Sequence, residues 1–286
     1  MRDNSKLLTA GLLLALIFCI AAVYGCGGTD TGTDGSSSEA PGVVCTRASF
    51  EGKKVSVLGD SISTFEGYIP LDYRVFYPKY GGIERVEDTW WMQVISDTHA
   101  HFCADASYSG STVCGQSEDM ITGRAGTSSR RISDLTAADG SKPDIVIIYM
   151  GVNDLLRDYP IGDNDGTRPV DEGDVADFSD AYTLMIDKIH AAYPKAQICC
   201  VTFHEICRRK GRPAVEYSFM NGRGYSSRQY NDAIRTIAAN KGLPVFDVYR
   251  GSGINIFNAQ RLTIDGTHPN RRGARKIAEC ILRELD

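Results

Sequence analysis

The sequence lacks three features that would each indicate a familiar class of protein. It has no excess of basic residues, because 31 lysines and arginines stand against 36 aspartates and glutamates, and this disfavours a nucleic-acid binder. It has no paired Cys-x-x-Cys motifs of the kind that hold zinc. It has no internal repeat of solenoid type. With 286 residues, of which 42% are hydrophobic, the chain can bury a full core, which excludes disordered and collagen-like proteins.

The N terminus carries an apolar run, Leu7–Tyr24, that follows Arg2 and Lys6. A short cationic start before an apolar stretch is typical of a secretory signal peptide, and the run is short for a membrane span. Its end, Val23-Tyr24-Gly25-Cys26, resembles the lipobox of bacterial lipoproteins. We therefore predict that residues 1–25 are a lipoprotein signal peptide and that Cys26 is the lipidation site.

Residues 26–44 are predicted to be a flexible tether, because residues 27–38 offer no apolar side chain to bury. The folded domain is expected to span residues 45–286. The protein would then be exported and anchored to a bacterial membrane through Cys26, on the periplasmic or the cell-surface side. Loss of Cys19 and acylation of Cys26 leave seven cysteines. An exported location permits disulfides, but an odd number leaves at least one thiol without an intrachain partner, and the connectivity stays open.

Short β-rich runs alternate with longer amphipathic ones along the domain. The candidate strands are Val55–Leu58, His101–Ala106, Ile145–Met150, Gln197–Phe203 and Val245–Val248. The candidate helices are Thr89–Thr98, Arg131–Leu135, Val175–Tyr193, Ser227–Lys241 and Arg271–Leu285. Alternating βα units predict an α/β fold of three layers, α/β/α, around a doubly wound parallel five-stranded sheet. The working site of such folds lies beyond the carboxyl ends of the strands.

A serine directly follows the first predicted strand, in Gly59-Asp60-Ser61-Ile62-Ser63. A hydroxyl there, beside the amides of the following turn, suits a nucleophile next to an oxyanion site. The alternative is a turn serine that caps a helix. Gly110 follows the second strand and Asn153 the third. Each alone is compatible with a turn or a helix cap, but on consecutive strand ends the two can aim two donors at one oxygen.

Asp265 precedes His268 by three residues, just before the last predicted helix. In a tight turn the carboxylate can accept from one ring nitrogen, which fixes the tautomer and leaves the other nitrogen free as a base. The alternative is a turn aspartate beside a surface histidine.

Taken together, these segments resemble the SGNH hydrolases, also called GDSL esterases, over nearly the whole stretch from Val55 to the C terminus. The family's four marker residues correspond to Ser61, Gly110, Asn153 and His268. The second segment departs from the family pattern, since Tyr108 stands where asparagine is common, and Gly115 is a possible substitute for Gly110. The resemblance implies a flavodoxin-like fold, no metal and no organic cofactor.

The resemblance also implies a serine hydrolase that acts through an acyl-serine. Ser61 would be the nucleophile, His268 the base and Asp265 its orienting carboxylate. The amides of Ser61 and Gly110 and the side chain of Asn153 would form the oxyanion hole. His204 follows the fourth strand on the predicted active face; it could contact substrate, but a structural hydrogen bond is the expected role. The run Asp163-Asn164-Asp165-Gly166 lacks the remaining ligands of a calcium loop.

Two segments bear on the substrate. Residues 65–91 hold eight aromatic side chains, which could wall the pocket and stack on a sugar. The alternative is that most of them pack the segment onto the domain, with Trp90 and Trp91 divided between core and surface. Residues 208–228 hold six basic side chains against the single acid Glu216, which could meet an acidic glycan or form a solvated loop. The leading interpretation is an esterase that deacetylates a carbohydrate. The alternatives are a lipase or general short-chain esterase acting on small acylated molecules, and an inactive glycan-binding lipoprotein.

Overall fold

The structure is a computed structural model, and it describes residues 45–115, 123–211 and 215–286. The predicted signal peptide (1–25), Cys26 and the tether (26–44) lie outside the described residues and stay predictions. In the part of the chain that the structure describes, no helix combines the length and the apolar character that a membrane span needs.

The centre of the domain is a five-stranded parallel sheet, and a separate antiparallel hairpin stands beside it. The strands in chain order are β1 (Lys54–Gly59), β2 (His101–Asp105), β3 (Ile145–Tyr149), β4 (Gln197–Val201), β5 (Cys207–Lys210), β6 (Val215–Ser218) and β7 (Val245–Phe246). The sheet has the order β2-β1-β3-β4-β7, while β5 and β6 form the hairpin. From β1 the chain first adds β2 on one side and then adds β3, β4 and β7 on the other side. The doubly wound flavodoxin-like folds have the same switch point between β1 and β3.

Helices cover both faces of the sheet. They are α1 (Arg47–Phe50), α2 (Trp90–Asp97), α3 (Ser129–Ser133), α4 (Val152–Leu156), α5 (Phe178–Ala192), α6 (Ser227–Asn240), α7 (Val248–Gly251), α8 (Ala259–Leu262) and α9 (Arg271–Glu284). The pair α2 and α9 packs together, and α5 packs against α3 and α6. Every residue of the central strand β3 is buried, as expected for a strand with helices over both faces. The predicted three-layer α/β/α fold is confirmed.

Side-chain caps explain where the helices begin. The Asp177 carboxylate accepts from the Asp180 amide, so α5 starts at Phe178 rather than at the predicted Val175. Ser226 and Gln229 form a capping box at the start of α6. Asn270 accepts from the amides of Arg272 and Gly273 and begins α9. These caps pair amides that have no partner within their own helix, and the Asn270 cap also fixes the chain two residues after His268.

All five predicted strands and all five predicted helices occur, with ends that differ by a few residues. The β5–β6 hairpin was not predicted; its strands lie in the first half of the basic segment 208–228, while Arg212 lies outside the described residues. The two strands mostly expose their side chains. They therefore lack the apolar alternation by which strands are recognised in a sequence.

The two adjacent tryptophans are both fully buried, so the predicted division between core and surface is wrong. The reason lies in their polar ends. Trp90 Nε1 donates to Ser63 Oγ at 3.2 Å, and Trp91 Nε1 donates to the Ser63 carbonyl at 2.8 Å. Because both indole N–H groups have partners, both rings can be buried without an unpaired donor. Their shared acceptor lies two residues after Ser61.

Candidate active site

Ser61 lies in a tight turn directly after β1. The turn is closed by the Ser63 amide, which donates to the Asp60 carbonyl at 3.1 Å, and by the Ile62 amide, which donates to Asp60 Oδ1 at 3.0 Å. A side chain at Gly59 would lie 2.5 Å from Ser63 and 2.7 Å from Ser107 Oγ, so the turn requires glycine at that position. This packing holds Ser61 at the carboxyl end of the sheet.

Three side chains form a hydrogen-bonded line at this end of the sheet. Ser61 Oγ is 2.8 Å from His268 Nε2, and His268 Nδ1 is 2.8 Å from Asp265 Oδ2. Both distances are those of hydrogen bonds to the imidazole. The structure therefore brings together the three residues that the sequence marked as nucleophile, base and orienting carboxylate. A hydroxyl, an imidazole and a carboxylate in this order can move a proton from the hydroxyl to the ring.

The Asp265 carboxylate is held ionised. Burial alone would raise its pKa, but the bond and the charge of His268, with the amides of His268 and Thr267, outweigh burial and lower the pKa of Asp265 well below its usual range. Those amides donate to Oδ1 at 2.8 and 2.9 Å. An ionised carboxylate accepts the Nδ1 proton, so Nε2 faces Ser61 as an acceptor.

The turn that carries Asp265 and His268 is braced against the hairpin. Gly266 has φ +84°, and a side chain there would collide with the Cys207 carbonyl. The Cys207 amide in turn donates to the Gly266 carbonyl at 2.9 Å. On the other side of the turn, Arg208 donates to Thr267 Oγ1 at 2.7 Å. The hairpin thus supports the turn of the candidate site, a role that its exposed, basic sequence did not suggest.

Phe76 lies flat against the imidazole of His268. The two ring centroids are 3.7 Å apart and the rings are 8° from parallel. The Phe76 amide donates to Thr64 Oγ1 at 2.9 Å, which ties the aromatic segment to the turn of Ser61. Most of the aromatic side chains of residues 65–91 are buried or half-buried, as predicted, but the sequence did not identify the ring that contacts the histidine.

The predicted oxyanion donors lie around the same turn. Asn153 Nδ2 donates one hydrogen to the Ser111 carbonyl at 2.9 Å, which orients the amide and leaves its second N–H available. Within the described residues, the amides of Ser61 and Gly110 have no hydrogen-bond acceptor. The amide of the alternative, Gly115, donates to Thr112 Oγ1 at 3.0 Å. The hydrogen bonds therefore favour Gly110 over Gly115 as the second backbone donor.

Asp154, the residue after Asn153, is a buried anchor that the sequence did not reveal. Its carboxylate accepts from the amides of Val113 and Cys114 at 2.8 and 3.0 Å. Burial raises the pKa of Asp154 to about 6, against the lowering effect of these amides. The bonds join the start of α4, which carries Asn153, to the loop after Gly110.

Arg131 is a second buried anchor, and its guanidinium bonds to several segments near Ser61 and Gly110. Its guanidinium donates to the carbonyls of Gly59 and Ala106 at 2.5 and 2.8 Å and also to Ser111 Oγ. Burial lowers the pKa of Arg131 to about 10, so the group stays a cation at neutral pH. One side chain thus joins the ends of β1 and β2 to the loop of Gly110, which its place in a short helix did not suggest.

His204 has the structural role expected from its sequence position. It is fully buried, and its Nδ1 is 3.0 Å from the Tyr149 hydroxyl. Burial lowers the pKa of His204 to about 4, against a smaller opposing effect of the Thr267 backbone. The ring is therefore neutral at pH 7. No group of histidine, cysteine or acidic side chains within residues 45–115, 123–211 and 215–286 has the arrangement of a metal site.

Comparison with known proteins gives a consistent result. Residues 53–217 match the model of the family GDSL-like Lipase/Acylhydrolase; this range contains Ser61, Gly110 and Asn153, while Asp265 and His268 follow it. No curated protein matches the chain significantly.

Solved structures with the same fold include two described as GDSL-like lipases. The one from Bacteroides uniformis is 24% identical, with a TM-score of 0.60 over 82% of this chain and 95% of its own. The one from Bacteroides ovatus is 23% identical, with a TM-score of 0.57 over 81% and 96%. A catalytic mutant of an acetylxylan esterase from Geobacillus stearothermophilus is 18% identical, with a TM-score of 0.51 over 82% and 94%.

Proposed function

Because the chain belongs to the GDSL-like lipase/acylhydrolase family, whose members hydrolyse esters, we propose that Ser61, His268 and Asp265 are its catalytic residues and that it works through an acyl-serine. The observation that carries the proposal is the pair of 2.8 Å hydrogen bonds that His268 makes with Ser61 and Asp265. If Ser61 only capped a helix, a hydrogen bond to His268 would not be expected. If His268 were only a surface residue, it would not lie between Ser61 and Asp265.

In the first half of the reaction, Ser61 Oγ attacks the ester carbonyl carbon while its proton moves to His268 Nε2. The carbonyl electrons move to the oxygen, which becomes an oxyanion. When the tetrahedral intermediate collapses, the bond to the alcohol breaks, and the leaving alcohol takes the proton from Nε2. In the second half, water repeats the same steps on the acyl-serine, so the carboxylic acid and free Ser61 are released.

The oxyanion would accept hydrogen bonds from the amides of Ser61 and Gly110 and from the second N–H of Asn153. These donors are fixed before substrate binds, because Arg131 and Asp154 hold the loops that carry them. Preorganised donors stabilise the developing charge without reorganisation, and loss of one such donor typically lowers turnover roughly 100- to 1000-fold.

We propose an acylated carbohydrate as the substrate and acetate as the acyl group. A cavity of about 240 Å³ beside Gly110 is lined by arginines, hydroxyl side chains and Gly110, and no aliphatic residue lines it within the part of the chain that the structure describes. A lipase needs an aliphatic surface for a long acyl chain, whereas a sugar needs hydrogen-bond donors and acceptors. The acetylxylan esterase with the same fold is a further reason to test acetylated glycans.

We also propose that the protein is exported and anchored to a bacterial membrane by lipidation of Cys26. The support is the sequence of residues 1–26 alone. Metabolic labelling with a fatty acid tests this: the wild-type protein should incorporate the label, and Cys26→Ser should not. Incorporation into both proteins, or into neither, would contradict the proposal.

The catalytic proposal is tested by a fluorophosphonate probe and by acetate release from a panel of acetylated glycans. The wild-type protein should be labelled on Ser61 and should release acetate, whereas Ser61→Ala should do neither. Ser133→Ala is the matched control, because it removes an exposed serine hydroxyl that lies outside the proposed site. Faster hydrolysis of long-chain esters than of acetylated glycans would favour a lipase. Glycan binding without labelling of Ser61 would favour an inactive binding protein.

A further inference from the structure

Three arginines surround the polar cavity next to Gly110. The cavity, called here the arginine cavity, is lined by Arg74, Arg124, Arg157 and residues 108–112. The candidate oxyanion loop forms part of its wall. A ligand bound in the cavity would therefore lie beside the ester that Ser61 attacks. Among residues 45–115, 123–211 and 215–286, none of those that line the cavity is acidic.

Two of the guanidinium groups converge on one point. A methyl group on Gly110 would lie 3.6 Å from Arg157 Nη2 and 3.8 Å from Arg74 Nη1. Arg157 is held in place, because its Nη2 donates to the Gly110 carbonyl at 2.7 Å. In the part of the chain that the structure describes, neither Arg74 nor Arg157 forms an ion pair with a carboxylate. Like charges held this close repel one another unless an anion joins them.

The backbone fixes the arginine cavity relative to Ser61. The Ser109 amide donates to the Arg74 carbonyl at 2.8 Å, and the Tyr108 amide donates to the Gly59 carbonyl at 3.1 Å. Arg74 also precedes by two residues the Phe76 ring that stacks on His268. The arginine cavity is therefore attached to the same turns that carry the candidate nucleophile and base.

We infer that the arginine cavity is a subsite for an anionic group, a carboxylate or a sulfate, carried by the glycan whose acyl group Ser61 removes. This inference rests on the proposed esterase function. Guanidinium groups are suited to this role, since each presents several N–H donors in one plane and pairs with carboxylate or sulfate oxygens. The bond of Arg157 to Gly110 uses only one of its five donors. The substrate class is then an acidic, acetylated polysaccharide.

The test compares three acetyl esters that differ in one substituent: an O-acetyl methyl glucoside, the matching uronic acid and the matching sulfate ester. The wild-type protein should hydrolyse at least one acidic ester with a kcat/KM about tenfold above that of the neutral ester, through a lower KM. Added sodium chloride should reduce this preference, because the arginines are exposed. The better acidic ester identifies the anion.

Arg74→Gln should bring the ratio of acidic to neutral kcat/KM close to one, and Arg74→Lys should retain part of the preference. Arg272→Gln, on the exposed face of α9, changes the net charge equally and should leave the ratio as in the wild type. Equal hydrolysis of all three esters by the wild-type protein overturns the subsite but leaves the esterase intact. No hydrolysis of any ester, with no fluorophosphonate labelling of Ser61, contradicts the proposed function instead.

Discussion

Phe76 and His268 stack face to face, with their ring centroids 3.7 Å apart. The phenyl ring covers one face of the imidazole, while the two ring nitrogens bond to Ser61 and Asp265. Aromatic stacking thus orients the histidine ring in addition to the two hydrogen bonds. The face of an aromatic ring carries partial negative charge, so the stack also favours the imidazolium that forms when the ring takes the serine proton.

Phe76→Leu should therefore lower kcat for a small acetyl ester by roughly threefold to thirtyfold, which corresponds to the ordinary range of a cation–π contact. Phe76→Tyr keeps the aromatic face and should retain most of the activity. Steady-state kinetics on both variants make the comparison. An unchanged kcat in Phe76→Leu would show that the stack has no part in the reaction.

Asp265→Asn should lower kcat by a factor on the order of 10³–10⁴. The amide oxygen can still accept from the amides of Thr267 and His268, as Asp265 Oδ1 does. Its NH2 group then faces Nδ1, which becomes an acceptor, so the proton moves to Nε2 and the ring cannot take the proton of Ser61. Circular dichroism should show an intact fold. A loss of less than tenfold would mean that Asp265 does not select the tautomer.

The sequence predicted those parts of the fold that follow from local pattern. Apolar runs such as Ile145–Tyr149 are buried strands because helices cover both faces, and amphipathic runs such as Ser227–Asn240 are helices with a buried side. The hairpin could not be recognised in this way. Its strands mostly expose their side chains, and β5 carries two adjacent arginines. The turn of Gly266 packs against Cys207 of β5, a contact between distant parts of the chain.

The same distinction applies to the candidate site. Ser61, Asn153, Asp265 and His268 stand in short motifs at the ends of predicted elements, so spacing along the chain was sufficient to select them. Arg131 and Phe76 act on residues far from them in sequence, Gly59 and His268 respectively. An arginine in a short helix and a phenylalanine in an aromatic segment have many possible neighbours. Only the fold determines which neighbour each one has.

Arg131→Met should destabilise the domain by roughly 2–3 kcal/mol, because it leaves the buried Ala106 carbonyl without a donor and removes one donor from the Gly59 carbonyl, which keeps the Tyr108 amide. Arg130→Met is the matched control. Arg130 is exposed and pairs with Asp72 on the surface, so its loss should change the free energy of unfolding by less than about 1 kcal/mol. Urea denaturation measures both values. Similar values for the two variants would contradict the anchoring role of Arg131.

His204 should make the domain lose stability in acid. Its pKa is about 4 in the folded protein against an ordinary value of 6.5, so only the unfolded chain gains this proton between pH 6.5 and pH 4. The contribution of the neutral His204 ring to the unfolding free energy is complete above pH 6.5. It decreases by ~3 kcal/mol as the pH is lowered toward 4. His204→Gln cannot titrate. The difference in unfolding free energy between wild type and His204→Gln should therefore shrink by that amount between pH 7 and pH 4.

Burial also raises the pKa values of three aspartates, Asp60, Asp105 and Asp154. Their protonation stabilises the folded protein as the pH is lowered through part of this range. Because both proteins contain these aspartates, their effect cancels in the difference between wild type and His204→Gln. His190→Gln, a change at an exposed position of α5, is the control and should show no such dependence. A wild-type-to-His204→Gln difference that is the same at both pH values would mean that folding does not shift the pKa of His204.

Cys45 and Cys199 should form a disulfide when the protein meets an oxidant. Their Sγ atoms are 3.5 Å apart in the reduced protein, and the hydrogen bond with Cys199 lowers the pKa of Cys45, against the effect of burial. The Cys45 thiolate can attack glutathione disulfide and release one glutathione. Cys199 then displaces the second, so the two protein thiols are oxidised while the glutathione disulfide is reduced.

Peptide mapping after treatment with glutathione disulfide should therefore recover a Cys45–Cys199 cross-link. The bond would close a loop between residues 154 positions apart and should raise the unfolding free energy by about 5 kcal/mol on the chain-entropy estimate. Cys199→Ser should leave Cys45 as a mixed disulfide with glutathione and show no such gain. Recovery of both thiols unmodified from the oxidised wild-type protein would contradict the pairing.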